Sequence, residues 1–299
     1  MLNKFHLLRL TALLMSSVSF NHLYACATCM CGDPTLTLMG TEKPFPNRLR
    51  LSTDFSYRGE NIGIKGINYR EVEESRFNVG LSYSPNRQLS VAARLPLVRK
   101  QLTHVNLAQS ETTNLGDVEI SLKYFGYQDR EIQPKHLAGL LGGLRIPTAS
   151  EQEEQGQPLD IDVQPGAGNW LISGGAWYGQ YRFPWFLYAS SVVRYALDEG
   201  FQNFSEGTAV VTTLQAQYAY NYQLAFFVGL DTRWSEKHQY DGQADPDSGG
   251  FIGFLTPGLV INLAEDLLFN VSVQWPAIEH LHGNHEEEAT FQIGVVYDF

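Results

Sequence analysis

The last nine residues of the chain alternate between two kinds of side chain. Apolar residues occupy the odd positions from 291 to 299, and polar or small residues fill most of the even positions from 290 to 298. A period of two places alternate side chains on opposite faces of a β-strand. The end of the chain therefore predicts a strand with one apolar and one largely polar face.

The same alternation is clear in several other segments, for example around Leu49 and Leu51 and around Phe77, Val79 and Leu81. Tilted strands of a membrane barrel need about 9 to 11 residues to cross the hydrocarbon core. In water, the pattern would equally suit a half-buried antiparallel sheet. We predict twelve strands, at 48–58, 74–84, 88–98, 116–128, 136–147, 168–182, 185–198, 207–220, 223–235, 250–263, 267–276 and 289–299.

The lengths of the connections decide between these two folds. Short connections such as 183–184 alternate along the chain with long polar ones such as 148–167. Outer-membrane barrels have an even number of strands, short periplasmic turns and long extracellular loops. We therefore predict an all-β fold: a single antiparallel transmembrane β-barrel of about 12 strands in the outer membrane of a Gram-negative cell, with both termini in the periplasm.

The composition is compatible with this class of membrane protein. The mean hydropathy of −0.20 is too low for a helical membrane protein, because the chain is too rich in polar residues. After the N-terminus no stretch approaches the roughly 18 uninterrupted apolar residues of a spanning helix. Trp185, Trp234 and Trp275 fall near predicted strand ends, where aromatic side chains anchor barrels at the two membrane interfaces.

The N-terminus reads as a secretory signal peptide, residues 1–25. Lys4 and Arg9 precede an apolar segment at 10–20, and Ala25 precedes a plausible cleavage site. The alternative is a buried N-terminal helix. Loss of these two cations would change the net charge from −11 to −13, which disfavours binding of nucleic acid. We divide the chain into this peptide, a periplasmic segment at 26–47 and the outer-membrane barrel at 48–299.

Four segments resemble the outer-membrane β-barrel transporter family of meta-pathway phenol-degradation proteins. They are 116–122 (GDVEISL), 143–148 (GLRIPT), 163–168 (VQPGAG) and the closing strand. The resemblance implies a monomeric barrel that moves small or apolar molecules. A closing strand that carries Tyr297 and stops on Phe299 also resembles the signal that the barrel-assembly machinery reads.

All three cysteines, Cys26, Cys29 and Cys31, lie together after the predicted cleavage site. Thiolates at this spacing can converge on copper, as Cu(I), or on zinc, and Met30 could add a thioether to copper. Three alternatives remain open: a disulfide in an oxidising compartment, lipidation of Cys26, and an anchor for assembly.

A second cluster lies in the predicted last long loop. His280, His282 and His285 lie there between Glu279 and the acidic run 286–288. Imidazoles and carboxylates are suitable ligands for zinc, copper or nickel. The alternative is a solvated polar loop without a metal.

A third group consists of charged residues on the polar faces of the predicted strands. Charges inside a barrel must be paired or hydrated. They can brace a narrow lumen as a structural network, or they can form an ion- or substrate-selective constriction. The residues are Arg50, Asp54, Arg58, Arg94, Glu119, Lys123, Arg145, Arg182, Arg194, Asp231 and Arg233.

The sequence carries no nucleophile elbow, zinc-protease motif or phosphate loop, so we expect no enzyme. We predict an outer-membrane channel or transporter for small solutes, including apolar or aromatic ones. Its expected partners are outer-membrane lipid, the barrel-assembly machinery and the solute. The alternatives are a metal-handling (copper or zinc) outer-membrane binding protein and an outer-membrane barrel enzyme with Ser and His at the lumen rim.

Overall fold

Residues 46–129 and 135–299 are described by a computed structural model. Twelve antiparallel strands follow one another around a closed barrel, because β1 pairs with β2 on one side and with β12 on the other. The strands are β1 Arg48–Ile62, β2 Arg70–Asn86, β3 Leu89–His104, β4 in two segments Gln109–Leu115 and Val118–Gln128, β5 His136–Ile146, β6 Leu171–Arg182, β7 Trp185–Ala196, β8 Ala209–Ala219, β9 Leu224–Ser235, β10 Gly250–Ala264, β11 Leu267–Leu281, and β12 in two segments His285–Glu287 and Thr290–Asp298.

The two faces of the wall differ as the period-two pattern predicts. Leu51, Leu81 and Tyr297 are exposed on the outside at neighbouring positions of β1, β2 and β12. Ser52 and Asn78 point inward and are buried. Since closure leaves no free strand edge, every wall strand can satisfy its backbone hydrogen bonds inside a hydrocarbon layer. The prediction of a twelve-stranded antiparallel barrel is confirmed.

Three predicted long loops are mostly strand. The segments 59–73, 99–115 and 277–288 continue the hairpins β1–β2, β3–β4 and β11–β12, whose turns occupy only 63–69, 105–108 and 282–284. Glu71, for example, pairs with both Asn61 and Thr103. Polar side chains outside the hydrocarbon weaken the apolar alternation, although backbone pairing with the neighbouring strand continues. The strict alternation of long and short loops was therefore partly wrong.

A β-bulge interrupts β4 at Gly116 and Asp117. Leu115 pairs with Leu97 and Glu119 pairs with Arg94, so one extra residue lies in β4 between these positions. The buried Asp117 carboxylate accepts hydrogen bonds from the backbone of loop 147–170, at 3.0 Å from the nitrogens of both Ala149 and Ala167. The bulge thus fixes this loop against the barrel wall.

Loop 147–170 folds into the mouth of the barrel. Its Val163 is fully buried against Ile62, Val72 and Leu102 of the extended hairpins. Arg70 Nη1 lies 2.8 Å from Asp162 Oδ2 and joins the loop to the start of β2. The loop consequently forms part of the lumen wall on this side, which we call the loop side.

The opposite half of the lumen, the turn side, contains an aromatic cluster. Lys123 is fully buried there, with Nζ 4.4 Å from the centre of the Trp177 ring and 5.4 Å from that of Tyr188. Cation–π attraction stabilises such a buried ammonium group. The cluster comprises Phe125, Leu137, Leu141, Trp177, Phe186 and Tyr188. Among the described residues, no helix is long and apolar enough to span a bilayer.

Candidate permeation pathway

A cavity of about 340 Å³ occupies the loop side of the lumen. Strands contribute most of its charged lining, because the even-numbered positions of β1, β2 and β3 face inward at this level. Loop 147–170 contributes Asp162 and Gln164. The charged side chains from the strands include Arg58, Glu60, Glu74, Arg76, Lys100, Arg145, Arg194, Arg233 and Glu287.

Glu74 is the centre of the largest ion-pair network in the cavity wall. Its carboxylate lies 2.9 Å from Arg58 Nη2, 2.8 Å from Arg76 Nε and 3.9 Å from Lys100 Nζ. Glu74 is 4% exposed, so these pairs are screened only weakly by solvent. The sequence interpretation missed Glu74 as a lumen residue, although its even position in β2 and its register opposite Arg58 provide the signal.

A row of alternating charges crosses three neighbouring strands. Glu119 of β4 lies between Arg94 of β3 and Arg145 of β5, and it forms an ion pair with Arg94. Arg145 instead pairs with Glu206, with Nη2 2.6 Å from Oε1, and also hydrogen-bonds Asn169. Glu206 comes from loop 197–208, where no strand pattern could have indicated it.

Arg194 of β7 lies two residues along its strand from the position that would continue this row, because Arg145 pairs with Leu171 and Leu171 pairs with Ala196. Ser173 and Ala209 are the partners of Arg194 on the two flanking strands. Four residues, Arg145, Leu171, Arg194 and Val211, line both the large cavity and a second cavity of about 130 Å³. We call this group the neck, since it lies where the two cavities meet.

Other predicted lumen charges brace the wall. Two nitrogens of Arg50 donate to Asp298, at 2.6 and 2.8 Å. The buried Asp231 accepts hydrogen bonds from Thr213, at 2.8 Å, and Thr256, at 2.6 Å. Asp54 accepts one from Asn78 at 2.6 Å. These contacts join neighbouring strands and leave the carboxylates compensated by donors.

Arg182 does not face the lumen, contrary to the sequence interpretation. It is the last residue of β6 and is exposed, on the same strand face as the exposed Tyr178. In β6 the odd positions line the lumen, as the buried Trp177 shows. The even positions, including 182, therefore face outward. The predicted parity was therefore one residue out of phase at this strand.

The predicted histidine cluster is separated by the β11–β12 hairpin. His280 and His282 are exposed, whereas His285 lies inside, with Nε2 3.6 Å from Glu60 Oε2. Ligand atoms of Glu60, His285 and Glu287 all lie within 4.8 Å of one another. Arg233 forms an ion pair with Glu287 at this place. Two carboxylates and one imidazole could hold a divalent ion or form a pH-dependent ion-pair network.

The structure describes the C-terminal aromatic residues but not the cysteine segment. Cys26, Cys29 and Cys31 lie outside the described residues. At the C-terminus, the rings of Tyr297 and Phe299 pack edge to face with centres 4.7 Å apart. The backbone nitrogen of Phe299 donates to Leu49 at 2.8 Å and extends pairing with β1 to the last residue.

Burial shifts the pKa values of two residues in the loops, Asp162 and His238. Burial raises the pKa of Asp162 to about 6, despite the opposing effect of Arg70. Burial also lowers the pKa of His238, whose Nδ1 accepts a hydrogen bond from the backbone of Gly207 at 3.1 Å. At neutral pH, Asp162 therefore carries its charge at a cost to the seated loop.

Comparison with known proteins shows similarity in fold but not in sequence family. No family model matches the chain, and no curated protein matches it. The COG4313 outer membrane channel from Pseudomonas putida F1 is similar over 91% of this chain and 100% of its own, with a TM-score of 0.68 at 13% identity. The translocator domain of the autotransporter NalP from Neisseria meningitidis is similar over 84% and 88%, with a TM-score of 0.52 at 13% identity. The architecture is that of outer-membrane barrels.

Proposed function

We propose that this protein is an outer-membrane channel that passes small solutes through the barrel lumen. One observation carries the proposal: a charged cavity on the loop side meets a second cavity at the neck, inside a closed barrel with an apolar outer surface. The similarity to a solved outer membrane channel supports it.

The solute class is the finer part of the proposal. The resemblance to the phenol-degradation transporter family favours small apolar or aromatic molecules. The aromatic cluster below the neck would offer such molecules apolar contact, since rings such as Trp177 and Phe186 line the turn side. The charged cavity above would admit a polar end.

A liposome-swelling assay tests passage. Wild-type vesicles should swell in arabinose and more slowly in larger sugars. Val211→Trp places an indole in the neck and should reduce swelling severalfold. Val210→Trp is the matched control, because Val210 pairs with the outward-facing Trp234 and points away from the lumen. Equal rates for both variants, or no swelling with wild type, would contradict a path through the neck.

The proposed orientation places both termini and the short turns in the periplasm after removal of residues 1–25. Loops 147–170, 197–208 and 236–249 then face the cell exterior. An epitope inserted within 241–247 should be labelled on intact cells. Labelling only after the outer membrane is permeabilised would reverse the orientation.

We also propose that Tyr297 and Phe299 form the assembly signal, because both rings lie exposed on the outer face of the closing strand. Phe299→Ala should lower the amount of heat-modifiable barrel and leave precursor in the periplasm. Unchanged surface levels of this variant would argue against such a role.

Metal handling is the second candidate function, favoured by the convergence of Glu60, His285 and Glu287. Zn(II) should bind in competition with a chelator, and His285→Ala should weaken binding whereas His280→Ala should not. The cysteine segment is tested separately: a Cys29→Ser, Cys31→Ser double variant should lose Cu(I) binding. Equal binding by wild type and variants would exclude both metal sites.

A further inference from the structure

Arg194 differs from Arg94 and Arg145 in what surrounds its guanidinium. Arg94 has Glu119 as its partner, and Arg145 has Glu206. The Arg194 guanidinium forms no hydrogen bond and no ion pair with any residue in 46–129 or 135–299, and Glu119 and Glu206 act on it only at longer range. Its flanking positions hold a hydroxyl, on Ser173, and a methyl group, on Ala209.

The Arg194 guanidinium therefore has no direct negative partner at the neck among the described residues. A guanidinium inside a barrel needs an acceptor or water, since leaving a buried charge without compensation is costly. Arg145 Nε, also at the neck, is a buried nitrogen without a hydrogen-bond partner among the described residues, and it lies 3.9 Å from Asp117 Oδ2. A carboxylate matches the planar donor fork of arginine better than any neutral group does.

The second cavity begins at this guanidinium. Its lining combines aliphatic side chains and hydroxyl groups with the ion pair of Arg94 and Glu119 and with Arg145. The uncharged lining residues include Leu141, Val192, Val211, Ser173, Ser190 and Thr213. Its volume of about 130 Å³ is close to the roughly 150 Å³ of apolar protein cavities that accept a benzene ring. The cavity can thus hold one small ring or a short hydrocarbon chain.

Building on the proposed passage of solutes, we propose that the neck is a binding subsite for small organic monoanions. Arg194 binds the anionic group, and the ring-sized apolar body occupies the second cavity below. The loop-side cavity, with Arg58, Arg76, Lys100 and Arg233 in its wall, lies on the way in. Glu74 and Glu287 are already paired with these cations, so these two acids repel an entering anion less. The channel is consequently selective for anionic over neutral or cationic solutes of the same shape.

Equilibrium binding to the purified full-length protein tests the subsite. Benzoate is the probe, with benzyl alcohol as its neutral analogue, benzylammonium as the cationic one and acetate as the anion without a ring. Calorimetry should show benzoate bound more tightly than the other three. Arg194→Gln should weaken benzoate binding about ten-fold or more, the loss expected for a charged hydrogen bond.

Two further variants keep the test informative if Arg194→Gln fails to fold. Ser173→Asp supplies the missing carboxylate beside an intact Arg194, and it should abolish benzoate binding. Arg182→Gln removes an exposed arginine from the outer face and should bind benzoate as wild type does. Benzyl alcohol binding as tightly as benzoate, or benzoate binding unchanged in Ser173→Asp, would overturn the subsite.

Current through the protein in planar bilayers separates this inference from the channel itself. Benzoate binding without any current would leave the subsite standing and would refute the proposed channel. Current that benzoate does not affect, together with no benzoate binding, would refute the subsite and leave the channel standing.

Discussion

The two halves of the lumen are built from different chemistry. On the loop side, paired arginines and glutamates surround a cavity of about 340 Å³. On the turn side, aromatic rings close around Lys123, and buried amides and hydroxyls such as Gln217, Asn270 and Ser272 fill the remaining space. This difference in lumen chemistry arises from inward-facing positions of the strands and from the loops that enter the mouth.

This difference separates selection from restriction. In the proposed channel, the charged side chains around the loop-side cavity would discriminate between solutes by charge. Close packing would limit what passes, so the turn side would set the size of the path. Alteration of each half should therefore change a different property of the channel.

The largest expected effect is a loss of stability when the packed aromatic half is altered. Trp177 is 3% exposed and contacts Phe125, with ring centres 4.9 Å apart. Trp177→Ala should cost about 3 to 5 kcal/mol of unfolding free energy, by loss of burial and creation of a cavity. Arg194→Gln, on the other half, should cost far less because Arg194 has no local partner. Denaturant titrations in detergent measure both values, and similar losses would remove the distinction between the halves.

The next effect sharpens the contrast between inside and outside. Leu122 is exposed on the outer face, whereas its neighbour Ser121 lines the second cavity. Leu122→Arg should cost about 2 to 4 kcal/mol near mid-span, because it places a charge in hydrocarbon. Ser121→Arg should be tolerated much better. Refolding titrations into lipid that show equal destabilisation would mean that the register of β4 is wrong by one residue.

The smallest effect concerns the loop that forms the roof of the charged half. The pKa of Asp162 is raised by burial to about 6 from its usual 3.8. Because the pKa of Asp162 is higher in the folded state, its protonated form stabilises the seated loop. This contribution is fully present below about pH 4 and is lost as pH rises through about 6. The seated loop should lose up to about 3 kcal/mol over this window, an upper limit from the size of the shift.

Hydrogen exchange of amides 159–164 checks this prediction, with wild type and Asp162→Asn compared at matched pH. The variant should be better protected than wild type at pH 7.5, and the two should converge near pH 4.5. A difference that stays constant between these values would show that Asp162 does not titrate in this window.

The outward-facing residues of the strands could be predicted from sequence, because lipid requires apolar side chains at every second position. The inner face obeys a weaker rule: any side chain that is paired, packed or hydrated fits there. Positions such as Arg50 and Glu119 followed from parity alone. Arg182 did not, because it lies at a strand end where no neighbouring apolar residue fixes the phase.

The partners of the lumen charges were harder to predict. Glu206 and Asp162 come from loops, whose path into the barrel depends on Asp117 and the β4 bulge. Glu60 and Glu287 lie in hairpin extensions that the sequence presented as polar loops. His285 meets them only because of the register of β12 against β1, in which Glu60 pairs with Glu287 and Ile62 pairs with His285.

The central claim is that solutes cross through the neck, and covalent block of single-channel current tests it most directly. In a background without Cys26, Cys29 and Cys31, Val211→Cys places a thiol in the neck and Val210→Cys places one on the outer wall. A charged thiol reagent should reduce the conductance of the Val211→Cys channel to a small fraction of its starting value and leave the Val210→Cys channel unchanged. Current that continues through a fully labelled Val211→Cys channel would contradict passage through the neck.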